Sequence, residues 1–519
     1  MTHLPALPIL VPLLMGGLLV ALRSLPPALH RTAAGLTILA VLTIVLLLAS
    51  ATADGTVLAY IAGNWSAPFG IALAVDRLTV VMLLLATIAV LACFCSATDG
   101  EDAQAPHFHA LLCLQLAGLC GAFLTADLFN LFVFFELLLI SSYGLLLNAH
   151  GGERVTATTH YLVVNLVGSA LFLISVALLY GVTGTLNLAD LARRLPLLSS
   201  TDLPLAQVGL ALLLVVFGIK AAMAPLYFWL PGTYHAASAP VAALFAVFTK
   251  IGVYCIARVF NTLSGSPAAL ELVTRSLLPL GLVTLVLGTL GVLAARDLRA
   301  LAASLIIVSS GTLLAAFGFF SVGTTATALF YLANSTLAGA AFFLVASLVR
   351  LARAEHEDHL NIGTPLLRSG MLGALFVASA MTSAGLPPTS GFVAKLGLLT
   401  ASAREISGYW FWAILLTSSV VILVALARSG SLIFWRPMTA EHLRLASANA
   451  ALGRTAATEA LRVSRGTTAA VVLLLVCGAA LTVYAAPVQR YLSAAAISLA
   501  APTRYIDAIF SVVPVERRP

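Results

Sequence analysis

The feature that most constrains this chain is the regular return of apolar runs close to 20 residues long, separated by short polar links. A helix rises about 1.5 Å per residue, so such a run matches the roughly 30 Å hydrocarbon core of a bilayer. Backbone N–H and C=O groups find no water there. A spanning segment is therefore a helix unless its strands close into a barrel. A barrel would read as alternating segments of about ten residues, and that pattern is absent. The cores of the runs lie at 4–22, 33–51, 78–97, 108–126, 128–147, 160–182, 204–230, 238–260, 276–295, 301–320, 324–349, 371–401, 408–435 and 468–489. A hydropathy window near 19 residues thus gives about 14 spans. Of the 519 residues, 61% are hydrophobic and 9% charged, against about 25% charged in a soluble domain. The expected class is an all-α polytopic membrane protein. No basic stretch precedes the first run, so it reads as a retained span and not as a cleaved signal.

Charge is scarce in such a chain, and its placement is informative. Of 27 basic residues only three are lysines, Lys220, Lys250 and Lys395, and all three fall inside apolar runs. Everywhere else the chain uses arginine. Arginine keeps its proton at any accessible pH, whereas a desolvated lysine can release one. Burying either cation costs about 2.5–3.5 kcal/mol on insertion scales. Three such costs point to protons being taken up and released inside the membrane. The alternative for each lysine is a snorkelling or purely structural cation. A carboxylate is the expected counter-charge, and "LFNLFVFFELLLISSYGLLL" supplies Glu136. It lies about 12 Å into its span at 1.5 Å per residue. Glu136 is expected to pair with Lys220. Asp127, at the entrance of the same span, is expected to cap it or sit at the interface.

Two spans carry prolines in their interiors. Pro225 and Pro231 follow Lys220, and Pro387 and Pro388 precede Lys395. Proline removes a backbone hydrogen bond, and in lipid the freed carbonyls need partners, so such breaks line cavities or pathways. The broken spans are the seventh and the twelfth. This spacing fits two inverted five-helix repeats, spans 4–8 and 9–13. The implied organisation is 1–100 (three N-terminal helices), 101–263 (first repeat), 264–436 (second repeat), 437–467 (polar connector) and 468–519 (last span and tail). Lys250 lies in span eight, and His235 in the link before it. His235 is a candidate relay between the two lysines or a solvated loop residue. His107, His109, His150 and His160 lie near span ends and are expected at the interface. Arg428 reads as the one arginine within a span.

The six cysteines lie in or at the ends of apolar runs, and none forms a C-x-x-C pair. Free, buried thiols are expected, with no metal site and no cofactor. The net charge of +7 comes from arginines spread over loops and does not indicate nucleic acid. They are denser in loops after odd-numbered spans, which by the positive-inside rule puts both termini outside the cytoplasm.

The stretch "DLFNLFVFFELLLISSYGLLL" resembles the signature of the D-type subunit of the multisubunit Mrp-type cation/proton antiporters, a family related to the antiporter-like proton-pumping subunits of respiratory complex I. "GIKAAMAPLYFWLPGTYHAASAPVAALFAVFTKIGVYCIARVF", "AGLPPTSGFVAKLGLL" and the tail "YIDAIFSV" are similar to further parts of it. The resemblance runs from about span three to the C-terminus. It implies that Glu136, Lys220, Lys250 and Lys395 carry the proton path. It also implies a bacterial plasma membrane, exchange of protons for Na+ or K+, and a hetero-oligomer of several membrane subunits. The chain departs from the family where relatives carry titratable groups in spans ten and eleven. Leu305 stands at one such position, and Asn334, Ser335 and Gly339 stand at others. Either Asn334, Ser304, Ser309 and Ser310, with water, bridge Lys250 and Lys395 there, or the proton path is shorter than in relatives.

The competing readings are a proton-pumping subunit of a complex I-like redox complex or membrane-bound hydrogenase, an oxidoreductase in its own right, and a scaffold subunit. No dinucleotide fingerprint supports the second. A scaffold has no use for three buried lysines.

Overall fold

The computed structural model describes residues 3–24, 26–105, 107–148, 152–353, 357–361, 369–435 and 464–512. The expected polar connector lies outside them, apart from 464–467. Helices occur where the apolar runs predict them. They are α1 (Leu7–Ala21), α2 (Pro27–Ala51), α3 (Arg77–Ala97), α4 (Phe108–Leu124), α5 (Leu128–Leu147) and α6 (Gly152–Thr183). α7 has two halves, Leu203–Lys220 and Trp229–Ala236, and α8 runs as Ala239–Phe245 and Phe248–Thr262. α9 (Pro267–Ala294), α10 (Leu298–Gly318) and α11 (Val322–Arg353) follow. α12 again has two halves, Ser369–Ala384 and Ser390–Ser402, before α13 (Gly408–Gly430) and α14 (Arg465–Val483). Among the described residues twelve helices are long and apolar enough to cross a membrane, and the shorter apolar helices Phe108–Leu124 and Ser369–Ala384 join them.

Two local features are not anticipated by the sequence. The link between α2 and α3 holds an antiparallel hairpin, β1 (Leu58–Ile61) and β2 (Ala72–Val75), within an otherwise all-α membrane protein. Its strands are four residues each, too short to stand out from periodicity. The last span also stops at Val483, and a separate helix α15 (Ala485–Ala500) starts after Tyr484. The tail forms α16 (Thr503–Phe510), whose Tyr505 and Ile509 pack with Ala72, Ala74, Ala126 and Ala189.

Aspartates start several helices. Asp76, Asp127 and Asp297 accept hydrogen bonds from the backbone N–H groups of Thr79, Asn130 and Ala300 at 2.9, 2.8 and 2.7 Å, capping α3, α5 and α10. A capping carboxylate satisfies an orphan donor and meets the positive end of the helix dipole. Asp127 is thus the cap expected. The centre of the bundle is α8, α10 and α11, which are almost wholly enclosed by the other helices. The helix that carries Lys250 is therefore one of the three most enclosed.

Candidate ion-translocation site

α7 breaks immediately after Lys220, and several of the freed backbone groups are engaged. Ala222 takes a left-handed conformation at φ 52°, and Met223 N–H reaches five residues back to Gly218 O at 2.9 Å. The Trp229 indole N–H donates to Ile219 O at 3.0 Å. Ser310 of α10 donates its hydroxyl to Ala221 O. Ala224 N–H donates to the Thr284 hydroxyl of α9 at 2.8 Å. The break at Pro225 is therefore a braced feature, and helices on either side supply the partners that lipid cannot. Pro231 lies within the second half of α7 and interrupts nothing.

The second break is built alike. Gly385 has φ 80°, and Leu386 N–H reaches five residues back to Met381 O at 3.0 Å. The chain then passes Pro387 and Pro388 and re-enters a helix at Ser390. Here a lysine is itself the brace. Lys395 Nζ donates to Ala384 O at 2.7 Å and to the Ser419 hydroxyl of α13 at 3.0 Å.

All three lysines meet neutral oxygens. Lys250 is fully buried, and its Nζ donates to Ser309 Oγ of α10 at 2.6 Å and to Thr249 Oγ1 at 3.2 Å. The turn ahead of it is tightened, with Ala246, Val247 and Lys250 N–H groups each bonding three residues back. Lys220 Nζ donates to Asn165 Oδ1 of α6 at 2.8 Å and lies 5.6 Å from the centre of the Phe135 ring. Glu136 accepts a hydrogen bond from the Ser169 hydroxyl, also on α6. The expected direct ion pair between Glu136 and Lys220 is therefore not formed. Two polar residues one turn apart on α6 hold the charges separately. Sequence reasoning missed Asn165 and Ser169 because single neutral polar residues in an apolar run carry little signal.

The remaining candidates divide. Ser309 is brought to Lys250. Asn334 is brought to the second break, where its Oδ1 accepts from Ser390 Oγ at 2.7 Å. Among the described residues no direct hydrogen bond joins these two clusters. Among the described residues His235 makes no hydrogen bond to any of the three lysines. It ends the second half of α7, partly exposed, with Nε2 3.3 Å from Asp297 Oδ1. Burial raises the Asp297 carboxyl, but the His235 hydrogen bond, the Ala300 N–H and the charges nearby outweigh it and hold it below its ordinary value.

Arg428 is exposed, whereas Arg258, at the end of α8, is buried, as is Arg353; Arg258 is the one held within the bundle by a carboxylate. It makes a two-pronged pair with Asp76 at 2.7 and 2.6 Å and lies against Tyr254 and Tyr505. His109, at the start of α4, is buried and bonds to Asp102 at 3.0 Å. All six cysteines are free thiols.

Residues 125–422 match the family described as NADH:quinone oxidoreductase/Mrp antiporter, TM. This segment holds both breaks, Glu136 and all three lysines. The chain belongs to this family. It is 38% identical to the D-type subunit of the probable K(+)/H(+) antiporter of Rhizobium meliloti, over 98% of each chain. It is 32% identical to the D-type subunit of the Na(+)/H(+) antiporter of Alkalihalophilus pseudofirmus, over 84% of this chain and 87% of that one. A chain in the solved Mrp complex from Dietzia sp. DQ12-45-1b superimposes with a TM-score of 0.85 at 28% identity, covering 98% of this chain and 100% of that one. Members of this family cross the membrane many times, as this chain's apolar helices do.

Proposed function

We propose that this chain is the D-type membrane subunit of a multisubunit antiporter that moves protons in exchange for Na+ or K+. It works as a transporter component within a hetero-oligomer of membrane proteins and catalyses no chemical reaction. The observation that carries the reading is the placement of its lysines. All three lie in the helical bundle on neutral oxygens, two of them at braced helix breaks. A buried ammonium held by neutral dipoles can give up its proton without stranding a carboxylate, which a fixed structural pair cannot. The names of the relatives, D-type subunits of K(+)/H(+) and Na(+)/H(+) antiporters, supply the exchanged ions.

In this reading Glu136, Lys220, Lys250 and Lys395 are the proton sites, with Ser309 and Asn334 as hydroxyl and amide links. Water would complete the interval between those two. The membrane is the plasma membrane of a bacterium, with both termini on its outer side. Residues 101–263 and 264–436 form the two inverted units. The test is to copurify the intact assembly, reconstitute it in vesicles and follow internal pH on adding Na+, K+ or Li+. Cation-dependent proton movement supports the reading. Copurifying iron–sulfur subunits, with proton movement that follows electron transfer and not cation addition, would favour the redox-complex reading instead.

A further inference from the structure

We propose that α6 is the positioning element of the Glu136/Lys220 couple: Asn165 and Ser169 hold the two charges apart, and transport requires Lys220 to pass between Asn165 and Glu136. This rests on the reading of Glu136 and Lys220 as coupling charges. The geometry is specific. Asn165 and Ser169 are four residues apart, so they share one face of α6. One takes the Lys220 ammonium through Oδ1 at 2.8 Å, and the other donates to the Glu136 carboxylate. The Asn165 amide is anchored, because its Nδ2 donates to Tyr161 O at 2.8 Å. That bond turns the amide oxygen, the acceptor, toward Lys220.

The site also contains room to move. Asn165, Lys220 and Tyr161 line a cavity of about 30 Å³, walled elsewhere by apolar side chains such as Phe135, Trp229 and Ile251. About 10–15 Å³ of such space holds one water molecule, so the cavity has room to spare. An ammonium can shift within it while its other surroundings stay packed.

The energetic argument favours a divided couple. A direct buried Glu–Lys pair is a deep trap, because breaking it leaves an uncompensated charge in a dry site. Two neutral residues that each satisfy one charge bring the separated state close in energy to the paired one. Small changes nearby can then shift the balance. The titratable groups around Lys220 are Glu136 on α5, Tyr161 on α6, and Cys255 on α8. Lys250 sits further along α8.

The test uses the intact assembly in vesicles with Asn165→Val, Asn165→Gln and Ser169→Ala. Asn165→Val removes the neutral acceptor and leaves Glu136 as the partner for Lys220. Exchange at neutral pH is expected to fall roughly tenfold, as for loss of one hydrogen bond to a charged group. Its pH profile should move in the alkaline direction by about one unit, since a carboxylate now holds the proton on Lys220. Asn165→Gln keeps an acceptor and should restore most of the rate. Ser169→Ala releases Glu136 toward Lys220 and should shift the profile in the same direction. It is the smaller change, and it reads the proposal if Asn165→Val does not assemble. A merely structural hydrogen bond predicts the opposite shift, toward acid, because the ammonium would lose a partner and gain none. An assembled variant with an acid shift, or with wild-type rate and profile, overturns the proposal. If that occurs while Glu136→Gln and Lys220→Ala abolish exchange, only the role of α6 falls. If those two also transport normally, the coupling role of the two charges falls with it.

Discussion

Gly252 is where α8 touches the break in α7, and replacing it with alanine tests whether that contact sets the positions of two lysines. A Cβ at Gly252 would lie 2.3 Å from Ala221 N, 2.6 Å from Phe217 O and 2.7 Å from the Lys220 carbonyl carbon. All three are backbone atoms, so no side chain can swing aside. Ordinary contact begins near 3.4 Å, so one helix must retreat by about 1 Å, and overpacking of this kind costs about 1–3 kcal/mol. Intrinsic helix propensity acts the other way, favouring alanine over glycine by about 1 kcal/mol. Gly232, on the second half of α7, serves as the control, because a Cβ added there would meet nothing within 4 Å. Gly232→Ala should leave thermal stability unchanged or raised, whereas Gly252→Ala should lower it. Lys220 precedes the displaced Ala221, and Lys250 lies two residues before Gly252. A misplacement of about 1 Å at a reacting group can cost on the order of 100-fold. Exchange by the assembled Gly252→Ala complex should therefore fall by one to two orders of magnitude. The assays are thermal unfolding of the purified assembly and pH-jump transport in vesicles. Wild-type stability together with a wild-type rate would refute the claim that this contact registers the two sites.

Glu136→Ala and Lys220→Ala should each abolish exchange in complexes that still copurify, and wild-type transport by either would remove that residue from the path. Lys250→Arg keeps a cation but not one that releases its proton. It should be nearly as inactive as Lys250→Ala, and an assembled variant that transports normally from pH 7 to 9 would assign Lys250 a purely electrostatic role. Asp297 has its carboxyl held below the ordinary value. Its charge thus contributes stability that is present above the unfolded value of about 3.9 and lost as pH falls through the lower folded one. Asp297→Asn should be less stable than wild type near neutrality, with the difference closing in acid. A gap that stays constant down to the acid limit in pH-dependent unfolding would contradict this.

Much of the architecture could be read from the sequence because lipid makes the rules strict. Apolar run length gave the helices, and interior prolines gave the breaks at Pro225 and at Pro387 and Pro388. The rarity of lysine singled out the three sites that the fold places on neutral oxygens. What escaped was whatever depends on which faces meet. The Glu136–Lys220 pair follows from charge alone, but Asn165 and Ser169 of α6 each take one of the two charges, and a neutral residue gives no charge signal. His235 resembles a relay by its position in the chain, yet the helix carries it to Asp297. Arg258 is passed over in favour of Arg428 because helix-end residues cannot be sorted into buried and exposed without their neighbours. Its partner, Asp76, lies 182 residues away.

The two broken helices belong to larger matching patterns. At the start of α5, Leu128 N–H bonds Leu186 O and Leu188 N–H bonds Ala126 O, so the chain leaving α6 pairs with the cap at Asp127. At the start of α10, Leu298 N–H bonds Asp358 O and Leu360 N–H bonds Arg296 O, so the chain leaving α11 pairs with the cap at Asp297 in the same way. In α7 and α12 the left-handed residues Ala222 and Gly385 each stand three positions before a proline, Pro225 and Pro388. Helices five apart thus repeat three local features, as two related units would. Five helices separate each pair, which on the proposed reading of two inverted units would put the two copies on opposite faces of the membrane. The two units differ in charge, however. Glu136 lies nine positions after the capping Asp127, and the residue nine positions after Asp297 is Ile306, which is buried. The second unit therefore has no carboxylate at that position, and the hydrogen bonds of Lys395 go to the carbonyl of Ala384 and the hydroxyl of Ser419. An ammonium without a counter-charge has no paired state to fall into. Lys220 can be switched by the approach or withdrawal of Glu136, whereas proton occupancy at Lys395 has to follow its local solvation and the charge state of sites further along the bundle. On the proposed function, the coupling step would then belong to the first unit and exchange with the aqueous side to the second.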